Sequence, residues 1–576
     1  MPTLPQPPPA LWLLKEPDPD QILALKGSPF PPIVQRLLAL RKVGATDKAE
    51  AFLNPKLSSL TDPFTIPGMD AAVTRILEAV AKKQTVILYG DYDVDGVTSL
   101  TLLTLTLRAY GLDPCNFLPT RMDEGYGLSH EGLARCFEQH GPPDLLIALD
   151  CGTGSVTEVE WLCEQGVDCV IVDHHEPGAK HPPCISLVNP KITGENDYFC
   201  TVGLVFKLAH ALLKRQRPEH FDLRDHLDLV ALGTVADLVP LHEENRILVH
   251  RGLERLSATP RPGLRALKSI SGMDGHVQTQ HISFRLGPRL NAVGRLETAQ
   301  TALDLLLCDD TTTARLHAQH LDTSNRERQD IEASAQREAV AMIAENPQLL
   351  DGPALIIGSR NWHPGVVGIV ASRLMRDHHR PTIVIAFDED GMGKGSGRSV
   401  PGISLVDALH ACRPLIEKGG GHAMAAGVSL REENLEAFRA GMSTAIQSQI
   451  SGDELLPKVH LDAEVQFSDL TPEFLASYAR LEPYGMGNPE PIFLARHVDP
   501  DLPGNVIKEK HWKLILSQGG EIRSAMWFNA EWSNPPAAPW DVIFKLQRQV
   551  WRGVESWQLM INDVRSSADA PAPDRR

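Results

Sequence analysis

Nowhere do the 576 residues hold a run of about eighteen apolar side chains, which excludes a membrane-spanning helix. The opening Met1-Pro2-Thr3-Leu4-Pro5-Gln6-Pro7-Pro8-Pro9 lacks a basic region and an apolar stretch, so no secretory signal is expected. The nine cysteines are odd in number and contain no Cys-x-x-Cys, which excludes a disulfide framework or zinc ribbon and fits a reducing cytoplasm. Neither a Walker A lysine nor a Rossmann glycine fingerprint occurs. Positive charge is short as well: 56 Lys and Arg against 73 Asp and Glu leave a net charge of -17. That excludes whole-surface attraction to phosphate but not a nucleic-acid partner. Metal-ligating carboxylates count as negative yet become a cationic site once loaded, and basic residues confined to a groove vanish in the total.

What is present is an ordinary globular composition, 42% hydrophobic and 22% charged, in a chain long enough for three or four domains. The stretch that organises it is Tyr89-Gly90-Asp91-Tyr92-Asp93-Val94-Asp95-Gly96. It follows the apolar run Thr85 to Tyr89, read as a buried parallel strand, and precedes Val97 to Ala109, read as the returning helix. Like charges packed at a strand's carboxyl end repel by roughly 1 to 4 kcal/mol at about 4 Å unless cations or protons neutralise them. The carboxyl end of a parallel sheet is also where such folds bind ligands. A solvated Asp-rich turn is the alternative for this stretch alone.

From about 70 to 240, strand and helix alternate, the signature of a doubly wound parallel sheet. Strand Leu145 to Leu149 runs into Asp150-Cys151-Gly152, strand Cys169 to Val172 runs into Asp173-His174-His175, and Asp237 follows a helical segment, Leu227 to Thr234. Any one Asp there could be a helix N-cap. Four such coincidences at one end of one sheet point instead to a divalent-metal crevice. Its Asp and His donors suit Mn²⁺ or Mg²⁺. Asp377-His378-His379 repeats the tripeptide but enters a strand instead of leaving one, and is read as a surface turn.

Taken in order and spacing, Gly-Asp-Tyr-Asp-Val-Asp-Gly, Asp150, Asp173-His174-His175 and Ala236-Asp237-Leu238-Val239-Pro240 resemble the DHH phosphoesterases and, within them, the RecJ exonucleases. The resemblance covers about 60 to 570. It implies metal ligation by Asp93, Asp95, Asp150, His174 and Asp237, with Asp150 bridging two ions and Asp91 ligating or supporting them. His175 resembles the family's phosphate-facing histidine, acting on the pentacoordinate charge or the leaving 3′ oxygen. Arg121 and the segment Phe284 to Arg295 supply arginine forks that suit phosphate. Within the resemblance Arg289, Asn291 and Arg295 belong to a phosphate-binding signature.

Thr311 to Asn346 reads as a helix polar nearly all round, the kind that bridges domains. Beyond it lie three glycine-rich features: Trp362 to Gly368 opening a helix, Gly393 to Ser399 on or beside a strand, and Gly419 to Gly427 as a loop. They suit backbone amides cradling phosphates. They resemble the DHH-associated substrate domain, which implies Ser396 and Arg398 as a 5′-phosphate anchor and His363 and His422 facing the cleft. The last stretch is rich in short strands, as in an OB-fold barrel. Its tryptophans stand beside basic residues, and Trp512 and Trp527 are expected to track DNA by base stacking.

The expected architecture is α/β. A cover segment, 1–60, shields a doubly wound DHH domain, 61–300. A connecting helix, 301–350, leads to a smaller α/β domain, 351–455, and an OB-fold barrel, 456–570, ends the chain. The implied activity is 5′→3′ hydrolysis of single-stranded DNA to 5′-mononucleotides with two Mn²⁺ or Mg²⁺ ions, in recombination and repair. A cytoplasmic monomer working beside a single-strand-binding protein and a recombination helicase is expected. The alternatives are a phosphodiesterase acting on short oligonucleotides or cyclic dinucleotides, and a catalytically inactive DNA-clamping scaffold.

Overall fold

The computed structural model describes residues 10–120, 127–273, 275–452, 455–501, 504–508, 510–530, 535–551, 554–568 and 574–575. Arg121 lies outside the described residues. The chain divides into two compact units, one built from 57–455 and the other from 8–56 together with 456–576.

The first unit opens on a five-stranded, wholly parallel sheet made of β1 (Val86–Gly90), β2 (Cys115–Phe117), β3 (Leu145–Leu149), β4 (Asp168–Val172) and β5 (Ser186–Val188), in the order β2-β1-β3-β4-β5. Alternate residues feed two separate cores. Leu88, Ile147 and Val170 enter one, while Ile87, Leu146 and Ile171 enter the other. Both faces are therefore covered, which is why these strands read as unbroken apolar runs. Helices α1 (Val94–Ala109), α2 (Thr201–Arg215) and α3 (Leu227–Ala236) pack together on one face. Helix α4 (Gly287–Leu296) follows a π-helical turn, Ile282–Leu286.

Helix α5 (Thr311–Glu345) runs unbroken for 35 residues. Ala314, Ala318 and Leu321 pack into the first core, and Ala335, Ala339 and Ile343 into that of the second sheet. That sheet contains β6 (Leu355–Ser359), β7 (Thr382–Phe387), β8 (Met392–Arg398), β9 (Lys418–Gly421) and β10 (Ala425–Arg431), in the order β9-β10-β8-β7-β6. Only β6 and β7 run parallel. The glycine stretch expected as a loop is thus a hairpin, because Gly419 to Gly421 pair in register with Ala426 to Val428. Helix α6 (Val367–His378) ends in the second Asp-His-His, where His378 is buried and not at the surface.

In the second unit, strands β11 (Phe493–Pro500), β12 (His511–Gln518), β13 (Glu521–Phe528), β14 (Trp540–Trp551) and β15 (Val554–Ser566) close a barrel, each paired to its neighbours and β11 to β12. The stretch 8–56 corrects the expectation of a cover on the first domain. Leu25, Phe30, Val34, Leu37, Leu38 and Leu53 are buried in one cluster with barrel-side residues such as Phe474, Phe493 and Trp540. Strand Leu11–Leu14 pairs in parallel with Lys458–Leu461. Among the described residues of the expected cover, Leu57 and Leu60 at its end pack against the first core.

Candidate metal centre and substrate cleft

The loop after β1 turns sharply into α1. Asp93 is the helix N-cap, its Oδ1 accepting from the Asp95 and Gly96 amides at 2.8 and 3.1 Å. Gly96 is obligatory at this turn, since a Cβ there would lie 2.2 Å from the Asp91 carbonyl oxygen. Asp91, Asp93 and Asp150 bring carboxylate oxygens within 4.8 Å of one another. Asp150, His174 and His175 form a second such group, and Asp95, Cys200 and Asp237 a third. His174 Nε2 stands 3.4 Å from Asp150 Oδ1 and 3.6 Å from Asp237 Oδ2. The carboxyl ends of β1, β3 and β4 and the end of α3 therefore converge on one place.

Asp150 occupies a left-handed conformation, φ 64°, unusual for a residue with a side chain, and its Oδ1 accepts from Thr201 Oγ1 at 2.8 Å. Asp95 uses both oxygens on the first amides of α2, accepting from Thr201 N at 2.7 Å and Val202 N at 2.8 Å. It thereby fixes the helix that brings Thr201 to Asp150. Asp173 accepts from the Thr153, His174 and His175 amides and holds His175 Nδ1 at 2.6 Å. Asn189 donates to Thr153 Oγ1 and to the His175 carbonyl.

Electrostatically the centre is acidic and underneutralised. Burial, then the neighbouring Asp150 and Asp237 charges, push Asp93 up to about 7. Burial and like charges also raise Asp91, Asp95 and Asp237. Burial alone would lower His175, but the Asp173 carboxylate overrides it and raises the imidazole to about 9. Asp173 itself is held below the usual carboxylate range: its burial is outweighed by the His175 and Thr153 hydrogen bonds. Asp91 Oδ1 and Asp237 Oδ2 are buried without a hydrogen-bond partner. Buried carboxylate oxygens with nothing to accept from fit a cation, and the oxygen and imidazole donors fit a hard divalent one. Cys200, the third member of the group with Asp95 and Asp237, is a soft donor among these hard ones, and burial raises its thiol well above the ordinary value.

The arginines expected to bind phosphate have different surroundings. Arg289 pairs with Asp322 on α5 at 2.9 Å. Asn291 Oδ1 accepts from the Val94 amide at 3.1 Å and so braces the metal loop. Arg295 reaches across to the Gly365 carbonyl at 3.4 Å, beside His363, whose Nδ1 accepts from the Gly365 amide. On β8, Arg398 donates to Ser396 Oγ at 2.9 Å. Both line a cavity of about 390 Å³ together with Lys394 and the glycines of β9 and β10. His422 is exposed beyond β9, near enough to Glu176, just past the metal-centre histidines, to help lower its pKa.

Trp512 and Trp527 are cross-strand partners on the row that continues into Leu514 and Ala525, half-buried against the barrel core. The outward row of the same hairpin carries His511, Lys513 and Phe528, with Phe528 half exposed. Thr201, Asn189 and Lys394 escaped the sequence reading. Only Lys394, inside a glycine run beside Ser396, carried a local signal.

Three family models cover the chain: the DHH family N-terminal domain at 85–234, the DHHA1 domain at 351–448 and the RecJ OB domain at 461–563. The single-stranded-DNA-specific exonuclease RecJ of Bacillus subtilis (strain 168) is 36% identical over 563 residues, covering 96% of this chain and 70% of that protein. The corresponding Escherichia coli (strain K12) protein is 33% identical, with 93% and 96% covered. The crystal structure of RecJ in complex with Mn²⁺ from Thermus thermophilus superposes with a TM-score of 0.81 at 29% identity, over 98% of this chain and 80% of that one. With the DHH, DHHA1 and RecJ OB domains all matched and these relatives matching it nearly from end to end, the chain belongs to the RecJ family of single-stranded-DNA-specific exonucleases.

Proposed function

We propose that this chain degrades single-stranded DNA from its 5′ end to 5′-mononucleotides, using two Mn²⁺ or Mg²⁺ ions, in DNA recombination and repair. The observation that carries the reading is the pair of buried, partnerless oxygens, Asp91 Oδ1 and Asp237 Oδ2, inside a crevice of five carboxylates and two imidazoles. Asp91, Asp93, Asp150, His174 and Asp237 hold the ions, with Asp150 common to two of the groups. Asp95, expected from the sequence as a further ligand, has both oxygens committed to the Thr201 and Val202 amides and steadies the site through α2 instead. When bound, such a pair supplies an activated water and charge to offset the departing oxygen.

The chain's own residues do the rest. His175, kept protonated at neutral pH by Asp173, donates to a phosphoryl oxygen or to the leaving 3′ oxygen. Ser396, Arg398 and Lys394 grip a 5′-phosphate in their cavity, with His363 and His422 nearby. A terminal phosphate held at a fixed distance from the metal crevice sets direction and product size. None of these contacts reads a base, so cleavage is blind to sequence. The protein works in the cytoplasm as a monomer beside a single-strand-binding protein and a recombination helicase. Among the described residues no helix is long and apolar enough to cross a membrane.

Digestion of DNA labelled internally and at either end, with Mn²⁺, Mg²⁺ or EDTA, tests this. Mononucleotides appear from the 5′ end of single strands only, and EDTA or Asp150→Ala abolishes them. Arg398→Ala loses mainly the preference for a 5′-phosphate. Tight strand binding without cleavage in either metal overturns the enzyme reading.

A further inference from the structure

The two most exposed large hydrophobic side chains among the described residues are Phe284, 79% exposed, and Leu238, 66% exposed. Leu238 lines a cavity of about 260 Å³, and so does Ser283, the residue before Phe284. Leu238 directly follows Asp237 of the metal centre. It adopts a left-handed backbone, φ 64°, a conformation that a bulky side chain seldom takes. Phe284 sits in the π-helical turn Ile282–Leu286, a rare element that recurs at functional sites. The cavity's other walls are polar. Asn291 braces the metal loop, Arg295 lies one turn further along α4, and Arg328 rises from α5 with its terminal nitrogens held by Glu332 and Asn325 and its buried Nε without a hydrogen bond. A metal-side opening with two arginines in its wall, the bare Leu238 on its lining and the bare Phe284 next in sequence to its Ser283 suits one nucleotide, phosphate inward and base outward.

We propose that Leu238 and Phe284 form a stacking lip that holds the unpaired base next to the scissile phosphodiester, while Arg295 and Arg328 face its phosphate. This rests on the exonuclease reading above and deepens it. A base within a duplex has both faces covered by its neighbours and cannot lie on such a lip, so the lip selects single strands at the point of cleavage. The left-handed Leu238 projects its side chain into solvent at a conformational cost that glycine or asparagine would not incur.

The test uses 5′-phosphorylated oligonucleotides, normal or abasic at the first two positions, with wild type, Phe284→Ala and Leu238→Gly. KM and kcat are measured in Mn²⁺, and Kd in EDTA. Wild type loses about five-fold to a hundred-fold in KM on the abasic strand, the range of one base–aromatic stack. Phe284→Ala starts from the raised KM and shows no further abasic penalty. Leu238→Gly raises KM for the normal strand yet unfolds at the same or a higher temperature than wild type. An abasic penalty that survives undiminished in Phe284→Ala overturns the proposal, as does a destabilised Leu238→Gly with unchanged KM. Should wild type cut no strand at all in Mn²⁺, the exonuclease reading fails separately. The lip is then judged on Kd alone, by whether Phe284→Ala erases the abasic difference.

Discussion

His226 stacks on Phe221 with ring centroids 4.9 Å apart, and its Nδ1 meets the Arg261 guanidinium at 3.1 Å. Burial and then the Arg261 charge push its pKa down to about 4. The unfolded chain binds this proton near pH 6.5 and the folded chain only near 4, so the contribution to stability is complete above the first value and lost as pH falls toward the second. The loss amounts to about 3 kcal/mol at most. Urea unfolding at pH 7.5 and pH 4.5 checks it: His226→Gln should have a smaller drop between the two than wild type. The same scale explains what could be read beforehand. Asp91, Asp93, Asp150, His174 and Asp237 were legible as a cluster because each lies just beyond the end of a strand or helix, and Asp95 because it carries the same spacing into the first turn of α1. Thr201 was not, because nothing near it in sequence says that its hydroxyl meets a carboxylate 51 positions earlier. Arg289 and Asn291 were found, but their partners, Asp322 and the Val94 amide, come only with the fold.

Helix α5 spans the first unit and is held at its middle by Glu332, whose buried carboxylate pairs with Arg328 at 3.1 Å and with Arg373 of α6 at 2.5 Å. Glu332→Ala leaves Arg328 buried and uncompensated, and is expected to cost about 3 kcal/mol, seen as a lower urea midpoint. Glu332→Gln should fall between, since it keeps a hydrogen-bond acceptor. That this helix would bridge two cores was legible from its polar faces. Its alanines mark where it is buried: small residues at 314, 318, 335 and 339 let neighbouring elements approach closely. The hairpin of β9 and β10 was less legible, because glycine runs look like loops until a partner strand supplies the pairing. The placement of the tryptophans was less legible for a related reason. Period-two alternation puts Trp512 and Trp527 on the row of Leu514 and Ala525, and the register that decides this is tertiary.

At the scale of the molecule, the first unit is inserted in the sequence between the two parts of the second. A fragment of residues 57–455 should therefore fold cooperatively and bind Mn²⁺ by calorimetry, since it holds its own cores and the whole metal centre. A fragment of residues 456–576 alone should be insoluble or unfolded by circular dichroism, because it lacks Leu25, Val34, Leu37 and Leu38 from its core. Adding residues 8–56 in trans should restore it. This pairing was not legible beforehand: an amphipathic helix announces that one face will be covered, not by which distant segment.

Strand Leu11–Leu14 finds its partner at Lys458–Leu461, so a strand made at the start of synthesis is among the last to be joined. The 443 residues from 15 to 457 must leave the ribosome between the two, which at common elongation rates takes roughly 20 to 90 s. Throughout that interval the apolar faces around Val34 and Leu38 have no mate of their own. Completion of the second unit therefore waits on translation, and a nascent chain arrested before residue 456 carries those faces uncovered, open to chaperones, proteases and one another.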